Sequence, residues 1–229
     1  MKIEQAHRSD IVRFGRLLHQ SGMVAATDGN LSVRLADENI LCTPTLMSKG
    51  LMEVEDLVVV DLHGRKLHGE RDVSSEIGMH LAIYRKRPEV GAVVHAHPPT
   101  ATGYAAAGLA LDRAICAELV VTLGSVPLAT YQTPGTPELA EGLAPLIADH
   151  DAILLANHGV VTYGVDLLTA YMNMETVEHF AKIALVTHML GRQQPLSEQH
   201  VDKLREMRTK YLSHSQAATQ RSPESVGKP

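Results

Sequence analysis

Gly91-Ala92-Val93-Val94-His95-Ala96-His97-Pro98 decides how this chain is read. Small and β-branched apolar residues run without a charge into two histidines, and Pro98, which has no N–H to donate to a ladder, stops the run. That is a strand buried on both faces. Side chains two apart on a strand project to the same side, so His95 and His97 point together at a separation that one metal ion bridges. The alternative for such a pair is a plain surface position, but the buried run that it terminates favours ligation.

Working outward, Leu57-Val58-Val59-Val60-Asp61-Leu62 and Ala152-Ile153-Leu154-Leu155-Ala156 are buried strands of the same kind. Leu31–Leu35 alternates like a half-buried strand, Ile40–Thr43 is a second one stopped by Pro44, and another lies near Val126–Thr130. Val160–Tyr163 pairs back on 152–156 across the turn Asn157-His158-Gly159. Helices are expected from Ile3 to about Met23, from Ser74 to about Arg85 with serine hydroxyls at the N-cap, and from Thr100 to Ala107. Three more are expected over Pro137–Ala148, Asp166–Leu190 and Glu198–Leu212. Strands and helices interspersed in this way, with a hairpin among them, imply one α/β domain whose mixed sheet carries helices on both faces. Residues 213–229, SHSQAATQRSPESVGKP, have too little apolar content to offset ordering and are expected to be a flexible tail.

Composition narrows the function classes. Of 229 residues, 45% are hydrophobic and 21% charged, the balance of a globular protein. A net charge of −5 argues against a partner that is a nucleic acid, whose phosphates need a basic face, yet allows a single phosphorylated metabolite. No apolar run approaches the roughly 20 residues of a membrane span, and MKIEQAHRSD has no apolar signal core, so a cytoplasmic protein is expected. There are 13 histidines but only two cysteines, Cys42 and Cys116, so imidazole rather than thiolate would hold any metal.

His158 follows a buried strand just as His97 does. Three neutral imidazoles with an open fourth position form a catalytic rather than structural zinc arrangement, suited to polarising a carbonyl. Glu76, behind Ser74 and Ser75 at a helix start, has two readings: a carboxylate favoured by the helix dipole, or a proton-transfer group beside a metal with the serines as anion binders. Asp28-Gly29-Asn30 is likewise either a plain turn or a loop presenting N–H groups to a phosphate.

Five motifs come in an order and at intervals that resemble the class II aldolase/adducin family over about residues 5–212: Thr27-Asp28-Gly29-Asn30-Leu31-Ser32, Ser74-Ser75-Glu76, His95-Ala96-His97-Pro98, Tyr131 with Gly135-Thr136, and Asn157-His158-Gly159. The nearest pattern within it is that of the ketose 1-phosphate aldolases. The resemblance implies a single three-layer α/β/α domain, residues 1–212, around a central, mostly antiparallel mixed sheet. It implies one divalent metal per subunit, zinc first and manganese or cobalt next, on His95, His97 and His158. Glu76 would be the acid/base, touching the metal when no substrate is bound. Gly29, Asn30, Thr45, Ser74 and Ser75 would hold the substrate phosphate. A homotetramer with active sites between subunits is implied, with Tyr211 acting across the interface on the aldehyde half.

The activity implied is reversible cleavage of L-fuculose 1-phosphate, or of a 5-deoxy- or 5-methylthio-pentulose 1-phosphate, to dihydroxyacetone phosphate and a short aldehyde. Related 4-epimerases, methylthioribulose-phosphate dehydratases and oxo-tetronate-phosphate decarboxylases need the same electrophilic metal, although the epimerases carry Asp where this chain has Glu76. An adducin-like interaction module keeps the fold without the metal site. The chain departs from the aldolase pattern at Thr45-Leu46, where the family has Thr-Gly, and near Cys116 and Glu118, where it has Tyr. Lys49 reads first as a solvated loop lysine and second as a positive charge for a phosphate.

Overall fold

The computed structural model describes residues 2–219, with side chains from 3 to 210. Eight strands form one sheet: β1 (Asn30–Arg34), β2 (Ile40–Cys42), β3 (Val58–Val60), β4 (Lys66–His68), β5 (Ala92–Ala96), β6 (Leu128–Ala129), β7 (Ala152–Leu155) and β8 (Gly159–Gly164). Their spatial order is β4-β3-β2-β1-β5-β8-β7-β6. Every neighbouring pair is antiparallel except β6 and β7, which run parallel. This is the expected mixed, mostly antiparallel sheet.

Helices α1 (Lys2–Gln20), α3 (Pro99–Ala106), α4 (Ala117–Thr122) and α6 (Leu167–Met189) cover one face, where they meet Leu31, Val33, Val94, Leu154 and Val160. Helices α2 (Ile77–Lys86) and α5 (Pro137–Ile147) cover the other, on Ile40, Val58, Val93, Ile153 and Val161. A last helix, α7 (Glu198–Thr219), lies against α4. The alternation of strand side chains assigns each residue to one of these two cores, and each fully buried aliphatic side chain contributes about 1.5–3 kcal/mol. On the α2 face the alternation is interrupted by buried polar residues, Asn30 and Ser32 of β1 and His95 of β5. No described helix is long and apolar enough to cross a membrane.

Four local expectations change. α2 begins at Ile77 with Glu76 as its N-cap and no side-chain cap bond. Ser74 is used in the turn ahead of it, its Oγ accepting the Glu76 N–H (3.3 Å) and its carbonyl the Ile77 N–H (3.1 Å). The strand expected at Val126–Thr130 contracts to β6, because Pro127 cannot donate to a ladder and Val126 bridges Leu111 instead. β4 and α4 were not foreseen. β4 is a polar edge strand with only Leu67 half-buried, and α4 is too short for a helical period to emerge. α7 runs on past Leu212 to Thr219, through the good helix formers Gln216, Ala217 and Ala218; of the expected tail, residues 220–229 lie outside the described residues.

One long-range contact ties the histidine strand to α6. Pro98, the N-cap of α3, offers no side-chain acceptor. Glu178 of α6, only 2% exposed, reaches over instead. Its carboxylate accepts the N–H groups of Thr100 (3.1 Å) and Ala101 (3.0 Å) and the Thr100 hydroxyl (2.8 Å). A charge-assisted cap of this kind satisfies otherwise orphaned donors and meets the positive end of the helix dipole. Glu178→Ala is expected to destabilise the fold by about 2–3 kcal/mol, because two backbone donors lose their acceptor in the interior; the urea midpoint measures it.

Candidate active site

The register of three adjacent strands assembles the site. His95 on β5 lies opposite Asn30 on β1 and Val161 on β8. The β7–β8 hairpin closes with Leu155 opposite Gly159, leaving Ala156-Asn157-His158 as a three-residue loop. Asn157 takes the left-handed conformation that such loops require (φ +54°), which asparagine tolerates better than most residues, and this turns His158 toward the end of β5. Two glycines make room for the approach. A Cβ on Gly29 (φ +70°) would lie 2.7 Å from the His95 carbonyl oxygen, and one on Gly159 would lie 2.5 Å from His97 Cδ2.

The three imidazoles therefore converge, with one ring nitrogen from each within 4.8 Å of the others. His95 Nδ1 lies 2.9 Å from the Val160 carbonyl, to which it donates, so its Nε2 carries a lone pair. His97 Nδ1 faces Asp28 Oδ2 at 3.4 Å, which fixes its Nε2 in the same way. These two Nε2 atoms stand 3.1 Å apart, and with both rings protonated at Nδ1 they present lone pairs to each other. A tetrahedral cation at about 2.0–2.1 Å from each nitrogen would space them at about 3.3–3.4 Å, so the donor set fits a metal and its facing lone pairs call for one. Burial pushes His95 down to about 3 and, with the neighbouring His158, also lowers His97, so both are in the neutral, ligating form at pH 7.

Glu76 completes the cluster. Its Oε2 is 3.4 Å from His95 Nε2 and accepts the Asn30 Nδ2–H at 2.9 Å. Its Oε1 is 3.1 Å from His158 Nε2 but is buried without a hydrogen-bond donor. Burial raises this carboxyl, but His95, His158 and Asn30 outweigh it and hold Glu76 well below the usual carboxylate range. It is an ionised group with one oxygen unspent.

Beside it opens a cavity of about 180 Å³. Gly29, Asn30, Thr45, Ser74 and Ser75, the expected phosphate residues, all line it, together with Glu76 and His97. Lys49 lines it too, and here the expectation of a solvated lysine is corrected: the residue is 1% exposed. Its Nζ donates to the carbonyls of Thr27 (2.9 Å) and Met47 (2.6 Å), and burial pushes its pKa down to about 8 against the pull of Asp28 and Glu76. Leu46, where the aldolase pattern has glycine, adopts a left-handed φ of +53° with its side chain exposed. The backbone keeps the glycine conformation without the glycine. Tyr211 lies on α7, but its side chain is outside the described residues. His80, unmarked in the sequence beyond being one of 13 histidines, is buried behind Asn30.

Comparison with known proteins places the chain in a family. The model of the Class II Aldolase and Adducin N-terminal domain matches residues 9–185. The chain belongs to the class II aldolase and adducin family. Among relatives of this aldolase-family chain, the 3-oxo-tetronate 4-phosphate decarboxylase of Escherichia coli K12 is 38% identical over 81% of this chain and 89% of its own. The 5-deoxy-D-ribulose 1-phosphate aldolase of Bacillus thuringiensis serovar kurstaki is 33% identical over 87% of this chain and 94% of its own. The crystal structure of YgbL from Escherichia coli superposes with a TM-score of 0.84 at 35% identity, covering 89% of this chain and 99% of that one. The class II aldolase family is metal-dependent, and this member has a three-histidine group able to bind a metal.

Because a methyl at Gly159 would push directly on His97, Gly159→Ala is expected to weaken divalent-metal affinity by about tenfold or more while unfolding stays cooperative. Calorimetric titration with Zn²⁺ or Mn²⁺ measures the first, and thermal melting the second.

Proposed function

We propose that this protein is a lyase that breaks the C–C bond one carbon from the ketone of a small phosphorylated sugar and releases dihydroxyacetone phosphate. The observation that carries the reading is the Glu76 carboxylate, ionised, with Oε1 lacking a donor, between three convergent imidazoles and a polar cavity. His95, His97 and His158 would hold one divalent metal, zinc first, with Glu76 as a further contact in the absence of substrate. When bound, the metal supplies electrophilic polarisation of the substrate carbonyl.

The chain's own residues do the rest. The hydroxyls of Thr45, Ser74 and Ser75 and the backbone of the Gly29-Asn30 loop hold the phosphate, and Lys49 supplies the positive charge. In cleavage of a ketose 1-phosphate, the bond from C3 to C4 breaks and its electron pair remains on C3, beside the ketone. The C4 hydroxyl loses its proton as the aldehyde forms, and the ionised Glu76 carboxylate takes up that proton through water and delivers it to C3, so the proton lost from oxygen is the one gained by carbon. Tyr211, from across a subunit interface of a tetramer, serves the aldehyde oxygen. The enzyme would work in the cytoplasm on a free metabolite, with neither nucleic acid nor membrane as partner.

The first substrates are L-fuculose 1-phosphate and the 5-deoxy- and 5-methylthio-pentulose 1-phosphates. Decarboxylation of a 3-oxo acid phosphate is the second reading, favoured by the 38% identity to the Escherichia coli decarboxylase. Loss of carbon dioxide from a 3-oxo-tetronate 4-phosphate leaves the same three carbons, and Glu76 passes a proton taken from water to the carbon beside the ketone. Metal-loaded protein is offered each substrate class in turn, and the ketose 1-phosphates are expected to release dihydroxyacetone phosphate, read by NADH-coupled reduction, together with an aldehyde. Carbon dioxide in place of aldehyde would transfer the assignment to the second reading, and no triose phosphate from either class would sink both.

Two variants probe the roles. Glu76→Gln, which keeps the size and removes the proton-transfer group, is expected to lower kcat by about 10²–10⁴ with metal content retained. Lys49→Met is expected to raise KM about tenfold with kcat little changed, since the lost attraction to the phosphate is common to ground and transition states; initial-rate kinetics at constant ionic strength measure the split.

A further inference from the structure

Behind the cavity wall, four polar side chains are buried between α2 and β1, where apolar residues would pack without penalty. Asn30, Ser32, His80 and Tyr84 are each no more than 5% exposed. Their contacts form one line. Asn30 Nδ2 donates to Glu76 Oε2 (2.9 Å), His80 Nε2 lies 2.5 Å from Asn30 Oδ1, Ser32 Oγ lies 2.7 Å from His80 Nδ1, and the Tyr84 hydroxyl lies 2.8 Å from Ser32 Oγ.

The polarity of that line has only one solution. A carboxylate accepts and never donates, so the Asn30 amide must turn its NH₂ to Glu76 and its oxygen to His80. His80 Nε2 must then carry the proton. Burial pushes His80 down to about 4, so the ring is neutral at pH 7 and its Nδ1 is an acceptor. Ser32 spends its single proton on Nδ1 and can only accept from Tyr84, whose hydroxyl burial keeps protonated. Every donor in the chain points toward Glu76, the arrangement in which successive hydrogen bonds polarise one another.

We propose that His80 is a positioning residue, which with Ser32 and Tyr84 locks the Asn30 amide in one orientation and so holds the Glu76 carboxylate at the three imidazoles. Glu76 needs such a hold because it is an N-cap residue that does not cap; its carboxylate contacts Asn30, His95 and His158 instead of its own helix N–H groups. Without the Nε2–H of His80, the Asn30 amide would be free to rotate, and its oxygen would then oppose a carboxylate oxygen at the position where an N–H now donates. The inference rests on the reading of Glu76 as the proton-transfer group.

His80→Leu, which fills the volume and removes both ring nitrogens, is expected to lower kcat at least tenfold with KM changed less than threefold and metal content unchanged. His80→Gln, whose amide can still donate to Asn30, is expected to recover kcat to within about threefold of the parent. A variant set in which Leu is as active as the parent, or in which Gln is no better than Leu, overturns the proposal. Should His80→Leu fail to fold, the parent protein decides: long-range ¹H–¹⁵N spectra, with the His80 resonances assigned by their absence in His80→Gln, are expected to show a neutral ring protonated at Nε2. An Nδ1–H ring or an imidazolium at pH 7 overturns it. Full activity in Glu76→Gln would instead defeat the role given to Glu76, and the ring tautomer would still decide whether the chain of bonds exists.

Discussion

Complete burial of His95 is the constraint from which the rest of the site follows. An imidazole taken out of water needs a partner for each nitrogen, or the fold loses several kcal/mol. β5 lies in mid-sheet, with β1 on one side and β8 on the other, and helices cover both its faces. β8 meets the first demand with the Val160 carbonyl at Nδ1. The second nitrogen, which carries a lone pair, faces the Glu76 carboxylate and His97 Nε2, and a cation among these acceptors would meet its demand. Everything that brings Glu76 to that spot, including the turn through Ser74 and the amide of Asn30, thus adds negative charge where that cation would sit.

The same economy explains why the histidine cluster sits at a sheet end that is unusually well anchored. His97 lies one residue beyond β5, where the ladder no longer holds the backbone, and α3 starts two residues later. Glu178 fixes the first turn of α3 from a helix on the opposite face to α2. The hairpin turn at Asn157 fixes His158 from the other side. Three imidazoles from two loops and a strand end can be held to a few tenths of an ångström only if the backbone carrying each is tied independently.

Much of this was legible in the sequence because two periodicities are strict. Val93, His95 and His97 alternate with Ala92, Val94 and Ala96, so the sequence places the histidine pair on one face before any contact is known. His80 is not singled out by the sequence alone, and its signal is visible only with hindsight: Glu76, His80 and Tyr84 follow at intervals of four on a helix, and Asn30 and Ser32 at an interval of two on a strand, so one face of each meets the other. Lys49 was not legible. Its burial depends on carbonyls of Thr27 and Met47 meeting from two irregular loops, and no local pattern encodes that meeting. β4 and α4 escaped for a related reason, being too short or too polar to carry a period.

The similarity to a decarboxylase and to an aldolase at comparable identities has a structural sense. Both reactions named for those relatives leave a three-carbon ketone phosphate, and the residues that would meet that fragment are those brought together on β1, β5, the β7–β8 turn and the start of α2. What differs between the reactions is the departing half, carbon dioxide or an aldehyde. On the proposed reading the aldehyde is met by Tyr211 near the end of α7, and among the described residues the segment around Cys116 adds nothing to the imidazole cluster. A family built this way can change its leaving group without disturbing the metal or the proton. On the same reading, Glu76 and its hydrogen-bond chain would belong to the part that both reactions share, and the departure at Cys116 from the aldolase pattern lies outside it.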